Sequence, residues 1–286
     1  MDAPPHTTPA AAAPRAGSTT FFFAVTLAIT WTLQLPAALA KLGVIDGGVE
    51  MYMPLVALGA FGPLIGAIVA ARREAGRAGV RTLFASLGNW RVGVGWYAIA
   101  LFGLGAAYVA GTAVYRLAFG AAHAGQWLYP PENAAHIIAM VIFPLVEEPG
   151  WRGFAQPRLQ ARHGALRAAL IVGFFWAIWH TMMFIAQGMT PFGFVVACVN
   201  IFAGSVVFAW FYNRTRGSLL LAVLLHAGAH LNNPTHAVPA NLTPFNVYTA
   251  ALCVAALALA LFDRRATCDA RAPLGAPRQP HSPSAA

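Results

Sequence analysis

The chain has 286 residues, of which 58% are hydrophobic and only 9% charged. A soluble domain carries about 25% charged residues, so an ordinary water-soluble core is excluded and a lipid bilayer is the natural solvent for this much apolar surface. The net charge of +9 rests on arginine, Lys41 being the single lysine; these arginines sit in short loops between apolar runs, which reads as a topology signal and not as a nucleic-acid groove.

Residues 1–18 are rich in Ala, Pro and Thr and read as a disordered tail. A helix that crosses the hydrocarbon core needs about 20 apolar residues. Candidate spans follow at about 20–41, 51–71, 93–118, 134–155, 166–187, 190–212, 217–233 and 244–262, the fourth uneven and the seventh short. The expected fold is all-α, a polytopic membrane bundle of about eight transmembrane helices occupying 19–263, with a second disordered tail over 264–286. The three cysteines, Cys198, Cys253 and Cys268, have no paired spacing and no disulfide pattern.

Arginine placement tests that count. Arg72, Arg73, Arg77, Arg81 and Arg91 follow the second span, Arg158, Arg162 and Arg167 the fourth, Arg214 and Arg216 the sixth, and Arg264, Arg265 and Arg271 the eighth. The alternate loops carry Asp46, Glu50 and Glu132. Basic short loops stay cytoplasmic, so an even number of spans with both termini cytoplasmic is expected.

An ionisable side chain in the hydrocarbon costs about 2.5–3.5 kcal/mol on insertion scales. The fourth span nevertheless holds Glu147, Glu148 and Arg152 in the run Val146-Glu-Glu-Pro-Gly-Trp-Arg-Gly153. Helical spacing places Glu148 and Arg152 on one face, where pairing offsets part of their desolvation. Glu147 has no such local partner and is expected to point into the bundle. Pro149 and Gly150 are expected to interrupt the helix there and to open a wet pocket, since irregular backbone at membrane depth must line protein or water.

Two further spans supply imidazoles, His180 in the fifth and the pair His226 and His230, one turn apart, in the seventh. Counted at about 1.5 Å per residue, Glu147, His180 and His226 share one depth. A buried carboxylate can act as a general base, one imidazole can share its water, and another can donate to a developing oxyanion. Those parts suit attack of water on an amide. No GxSxG or HExxH motif is present. Glu147, His180 and His226 could also hold a divalent metal such as zinc.

Glu147-Glu148-x-x-x-Arg152, the aromatic run ending in His180, and His226-x-x-x-His230 together resemble the CPBP family of membrane-embedded CAAX-processing and bacteriocin-processing endopeptidases. The likeness covers about 135–233 and includes the longer run EEPGWRGFAQPRLQ. The resemblance implies that Glu147 activates the attacking water with help from His180, that His226 stabilises the oxyanion, and that Glu148 and Arg152 are structural or substrate-orienting. It also implies a protein or peptide substrate at the bilayer and a bacterial cell membrane. Two departures stand out. Trp176 occupies the position, four before His180, where the family usually has Phe, and His230 stands where it has Asn or Asp, with Asn233 a candidate substitute. The rival readings are a catalytically silent binding or immunity protein, which His230 favours, and a proton-coupled transporter, which the absence of an internal repeat disfavours.

Overall fold

The computed structural model describes residues 18–120, 126–231 and 243–273. Every regular element in it is helical: α1 (Ser18–Lys41), α2 (Val49–Gly59), α3 (Gly62–Ala85), α4 (Val94–Phe119), α5 (Ala134–Glu148), a π-helical turn (Pro149–Ala155), α6 (Gln156–His163), α7 (Ala165–Trp179), α8 (Thr181–Ala186), α9 (Pro191–Arg214), α10 (Leu219–Leu231), α11 (Thr243–Phe262) and a second π-helical segment (Arg265–Asp269). Among the described residues six stretches are long and apolar enough to cross a membrane: Ser18–Lys41, Val49–Gly88, Val94–Phe119, Ala165–Ala186, Pro191–Arg214 and Phe245–Phe262. The remaining two expected spans carry Glu147, Glu148, Arg152, His226 and His230. Residues 134–163 are divided by the π turn, and α10 has only 13 residues, about 20 Å of helix.

Several expected spans are jointed. The second breaks at Ala60–Phe61, where Pro63 opens the first turn of α3, and it runs on past residue 71 to Ala85. Within α3 the backbone leaves helical geometry at Ala75 and Gly76, the latter at φ +59° and ψ −142°, a conformation that suits glycine alone. The fifth span breaks at His180. There the backbone N–H is shared between the carbonyls of Trp176 and Ala177, while the ring takes the Trp176 carbonyl as well.

The boundary expected at 263/264 lies later. Ala266 and Thr267 are buried, the Ala266 carbonyl accepts from Asn213 Nδ2 at 2.7 Å, and Arg271 donates to the Arg162 carbonyl at 2.6 Å. Residues 264–273 therefore pack against the ends of α6 and α9 and are not a free tail. The expected N-terminal tail up to residue 17, and the C-terminal one from 274, lie outside the described residues.

The arginine-bearing ends are tied together by ion pairs. Arg158 of α6 makes a forked contact with Glu74 of α3, its Nη2 lying 2.6 Å from Oε2. Arg214 of α9 meets Asp263, just past α11, at 2.6 Å. This is the geometry expected of a basic rim where several helices end.

The core around the fourth span is aromatic. Phe22 and Phe23 of α1 pack on Trp151, and Phe23 stacks on Phe175 of α7 with centroids 3.8 Å apart. Trp151, Trp176 and Trp179 are all buried. These three do not face lipid or an interface, because each indole N–H has a protein acceptor inside the bundle.

Candidate active site

Glu147 and Glu148 end α5, and the backbone then widens into the π turn instead of breaking. Pro149 has no N–H to return to the Leu145 carbonyl, and one wide turn absorbs the mismatch; such turns recur at functional sites. Gly150 lets α3 approach the turn. A Cβ there would lie 2.7 Å from both the carbonyl oxygen and the Cβ of Pro63. The helix thus stays continuous enough to keep the expected Glu148–Arg152 register.

That pair forms as the spacing requires. Arg152 Nη1 donates to Glu148 Oε1 at 3.1 Å, and both side chains are fully buried. The guanidinium lies between two aromatic faces, 4.6 Å from the Trp176 ring and 4.4 Å from Phe208, which replaces part of its lost hydration. His226 of α10 joins the same carboxylate oxygen, its Nδ1 lying 2.8 Å away. Oε2 of Glu148 and Nε and Nη2 of Arg152 have no hydrogen-bond partner among the described residues. These orphaned polar atoms make the layer polar beyond what its protein contacts satisfy.

Glu147 points the other way. Its Oε2 accepts from the indole Nε1 of Trp176 at 3.1 Å and from that of Trp151 at 3.4 Å. Glu147 therefore does have a partner in its own segment, one turn on, though an indole and not an ion. His180 is held by the same tryptophan, its Nδ1 donating to the Trp176 carbonyl at 2.7 Å, while its ring stacks on Phe184. A carbonyl can only accept, so in the neutral ring Nδ1 carries the proton and Nε2 keeps its lone pair. His226 packs edge-on against Trp176 and Phe208, and His230 stacks on it at 5.1 Å and 14°.

The structure thus brings Glu147, Glu148, Arg152, His180, His226 and His230 into one layer, with Trp176 at its centre. It divides them into two groups, Glu147 with His180 through Trp176, and Glu148 with Arg152 and His226. They do not gather as metal ligands. Among the described residues no three His, Cys, Asp or Glu side chains converge to hold an ion. The expected Glu147–His180–His226 donor set does not form such a group. The donors present do not fit a zinc site in this arrangement. Asn233, the candidate substitute for the last motif residue, lies outside the described residues.

Residues 130–232, which contain every one of these side chains, match the sequence model of a family described as type II CAAX prenyl endopeptidase, Rce1-like. Over these residues the chain is similar to that family. It is also similar to CAAX prenyl protease 2 of Methanococcus maripaludis, 22% identical over 149 residues, an alignment that covers 49% of this chain and 54% of that protein. The chain spans about half the length of the relative it matches. The matched stretch comprises α5 to α10 with the π turn and the short helices between them. Helices α1 and α3 lie outside it but supply its cover. Thr30 of α1 accepts from the Trp179 indole at 2.7 Å, and Pro63 of α3 seats Gly150.

Sequence reasoning missed two members of this cluster, Trp151 and Trp176, as hydrogen-bond donors. The i+4 spacing from Glu147 to Trp151 was the available signal. It also missed the buried polar ladder that continues down α6, in which Gln156 Nε2 donates to Gln160 Oε1 at 3.0 Å and Gln160 Nε2 to Asn213 Oδ1 at 2.8 Å. The four-residue spacing of Glu148, Arg152, Gln156 and Gln160 announces that ladder.

Proposed function

We propose that this protein is an intramembrane endopeptidase that hydrolyses a peptide bond of a membrane-associated or lipidated protein or peptide, using water activated by Glu147. The observation that carries the reading is the juxtaposition of Glu147, His180 and His226 around Trp176 within the stretch similar to the Rce1-like family.

In this mechanism the Glu147 carboxylate takes one proton from water as the oxygen attacks the carbonyl carbon of the scissile amide. His180 Nε2 accepts a hydrogen bond from the water's other proton and orients it. The carbonyl π bond opens to an oxyanion, and His226 Nε2–H donates to it. Collapse of the tetrahedral adduct breaks the C–N bond, and the proton held by Glu147 passes to the leaving nitrogen. For Nε2 of His226 to donate while Nδ1 donates to Glu148, the ring must carry both protons. Glu148 and Arg152 then orient His226 without touching the substrate. His230, stacked on His226, holds its ring plane. The arginine-bearing rim of α3, α6, α9 and the 263–273 segment faces the cytoplasm in this reading, with both termini on that side, and the substrate enters from the bilayer.

The test is cleavage of a quenched-fluorescent peptide library by the purified protein in detergent, beside Glu147→Gln and His180→Ala, with and without a chelator. Loss of cleavage in both variants is expected, and the chelator lane decides whether a metal takes part; full activity in Glu147→Gln would sink the mechanism. A folded wild type that cleaves nothing would favour the silent binding protein instead, the reading that His230 keeps open.

A further inference from the structure

Resting on that reading, we infer that Trp151 and Trp176 are positioning residues for Glu147, a pair of indoles that together occupy Oε2 and reserve Oε1 for the substrate water. The two donors come from different elements, Trp151 from the π turn and Trp176 from α7, and converge on one oxygen at 3.4 and 3.1 Å. A carboxylate oxygen has two lone pairs for in-plane acceptance, so two N–H groups fill Oε2 and leave the other oxygen for chemistry. An indole N–H donates and never accepts, so neither tryptophan can relay a proton. Their action is on the orientation of the carboxylate.

Both rings are locked. Trp151 is fully buried against Phe22, Phe23 and Trp179. Trp176 is clasped by Phe208, His226 and the Arg152 guanidinium. Locked donors hold their acceptor at a fixed place, which is what a general base in a near-attack geometry requires. The widened turn matters here, since Glu147 and Trp151 lie on either side of its start and the carboxylate meets the indole across it. Trp176 also holds His180 through its carbonyl, so one residue sets the base with its side chain and the imidazole with its backbone.

The experiment combines spectroscopy with kinetics on the full chain in detergent. With ¹⁵N-labelled indoles assigned by Trp→Phe variants, the Nε1–H signals of Trp151 and Trp176 are expected to move upfield in Glu147→Gln. The Trp179 signal, whose acceptor is Thr30, is expected to stay. In cleavage assays Trp176→Phe and Trp151→Phe each keep a ring in place and remove one donor. Each is expected to lower kcat by about tenfold with KM little changed, a loss on the scale of one hydrogen bond to a charged group. The double variant is expected to lose more than either single one. Indole signals indifferent to Glu147→Gln would overturn the inference, as would a folded double variant with the wild-type kcat. A wild type that does not cleave would overturn the proteolytic reading, and the positioning role with it. The indole signals would still report whether the clamp exists.

Discussion

Nδ1 of His226 lies 2.8 Å from Oε1 of Glu148, joining residues 78 apart in sequence across α10 and α5. The contact makes a carboxylate–imidazole unit of two groups from separate motifs, with Arg152 on the same oxygen. Groups that act as a unit give non-additive kinetics. In a cycle of Glu148→Gln, His226→Ala and the double variant, the double loss in kcat/KM is expected to fall short of the product of the single losses, with a coupling of about 1–3 kcal/mol. Additive losses would show that Glu148 does not act through His226.

Arg152 is the group whose removal is expected to cost most in stability. It is wholly buried and its partner Glu148 has one oxygen already orphaned. Arg152→Met leaves that carboxylate buried with His226 alone, at an expected cost of about 3–5 kcal/mol. The matched Glu148→Leu/Arg152→Met variant removes both charges and is expected to recover much of the loss. Thermal melts of the detergent-purified proteins compare the two; equal melting temperatures for the single and the double variant would contradict the account.

Gly228 sets how closely α10 approaches α4. A Cβ there would sit 2.1 Å from the Ala100 carbonyl oxygen and 2.8 Å from that of Leu101. Both are backbone atoms of a helix and cannot swing aside. Gly228→Ala is expected to push α10 away from α4, carrying His226 two residues before it. The expected cost is about 1–3 kcal/mol of stability together with a clear fall in cleavage. Melting temperature and activity are both read, and a variant unchanged in both would show that the helices can part freely.

At the basic rim, hydrogen bonding from Arg214 is the main cause that holds the Asp263 carboxyl below its ordinary range, and the Trp210 indole adds to it at 2.7 Å. A carboxyl depressed in the folded state contributes stability that is present above its unfolded value of about 3.9. That contribution fades as the pH falls through the lower folded value. Because Arg214 is 40% exposed, screening limits the pair to about 0.5 kcal/mol. Arg214→Ala is therefore expected to melt slightly lower than wild type at pH 7, with the gap closing at strongly acid pH. A gap that widens in acid would reverse the sign of the argument.

Periodicity and composition carried the secondary structure well, because apolar runs about 20 residues long have few alternatives in a bilayer. They carried the joints less well. The break at Ala60–Phe61 has a local signal in Pro63, whereas the break at His180 follows from a ring nitrogen competing for the Trp176 carbonyl, a contact with no signature in spacing. The π turn after Glu148 shows the same limit. Pro149 announces an irregularity, but the choice between a break and a wide turn depends on how α3 packs against Gly150.

Of the site, the Glu148–Arg152 pair was readable from one chain segment because helical geometry alone sets a four-residue contact. The common layer of Glu147, His180 and His226 was readable as depth, since rise per residue is constant. Which group meets which was decided only by the tertiary fold. His226 pairs with Glu148, and Glu147 takes two indoles. Among the described residues no three such donors converge as a metal would need. Depth is a one-dimensional quantity that each span fixes for itself. The rotation of each helix about its axis is set by its neighbours, and it is rotation that chooses hydrogen-bond partners within a layer.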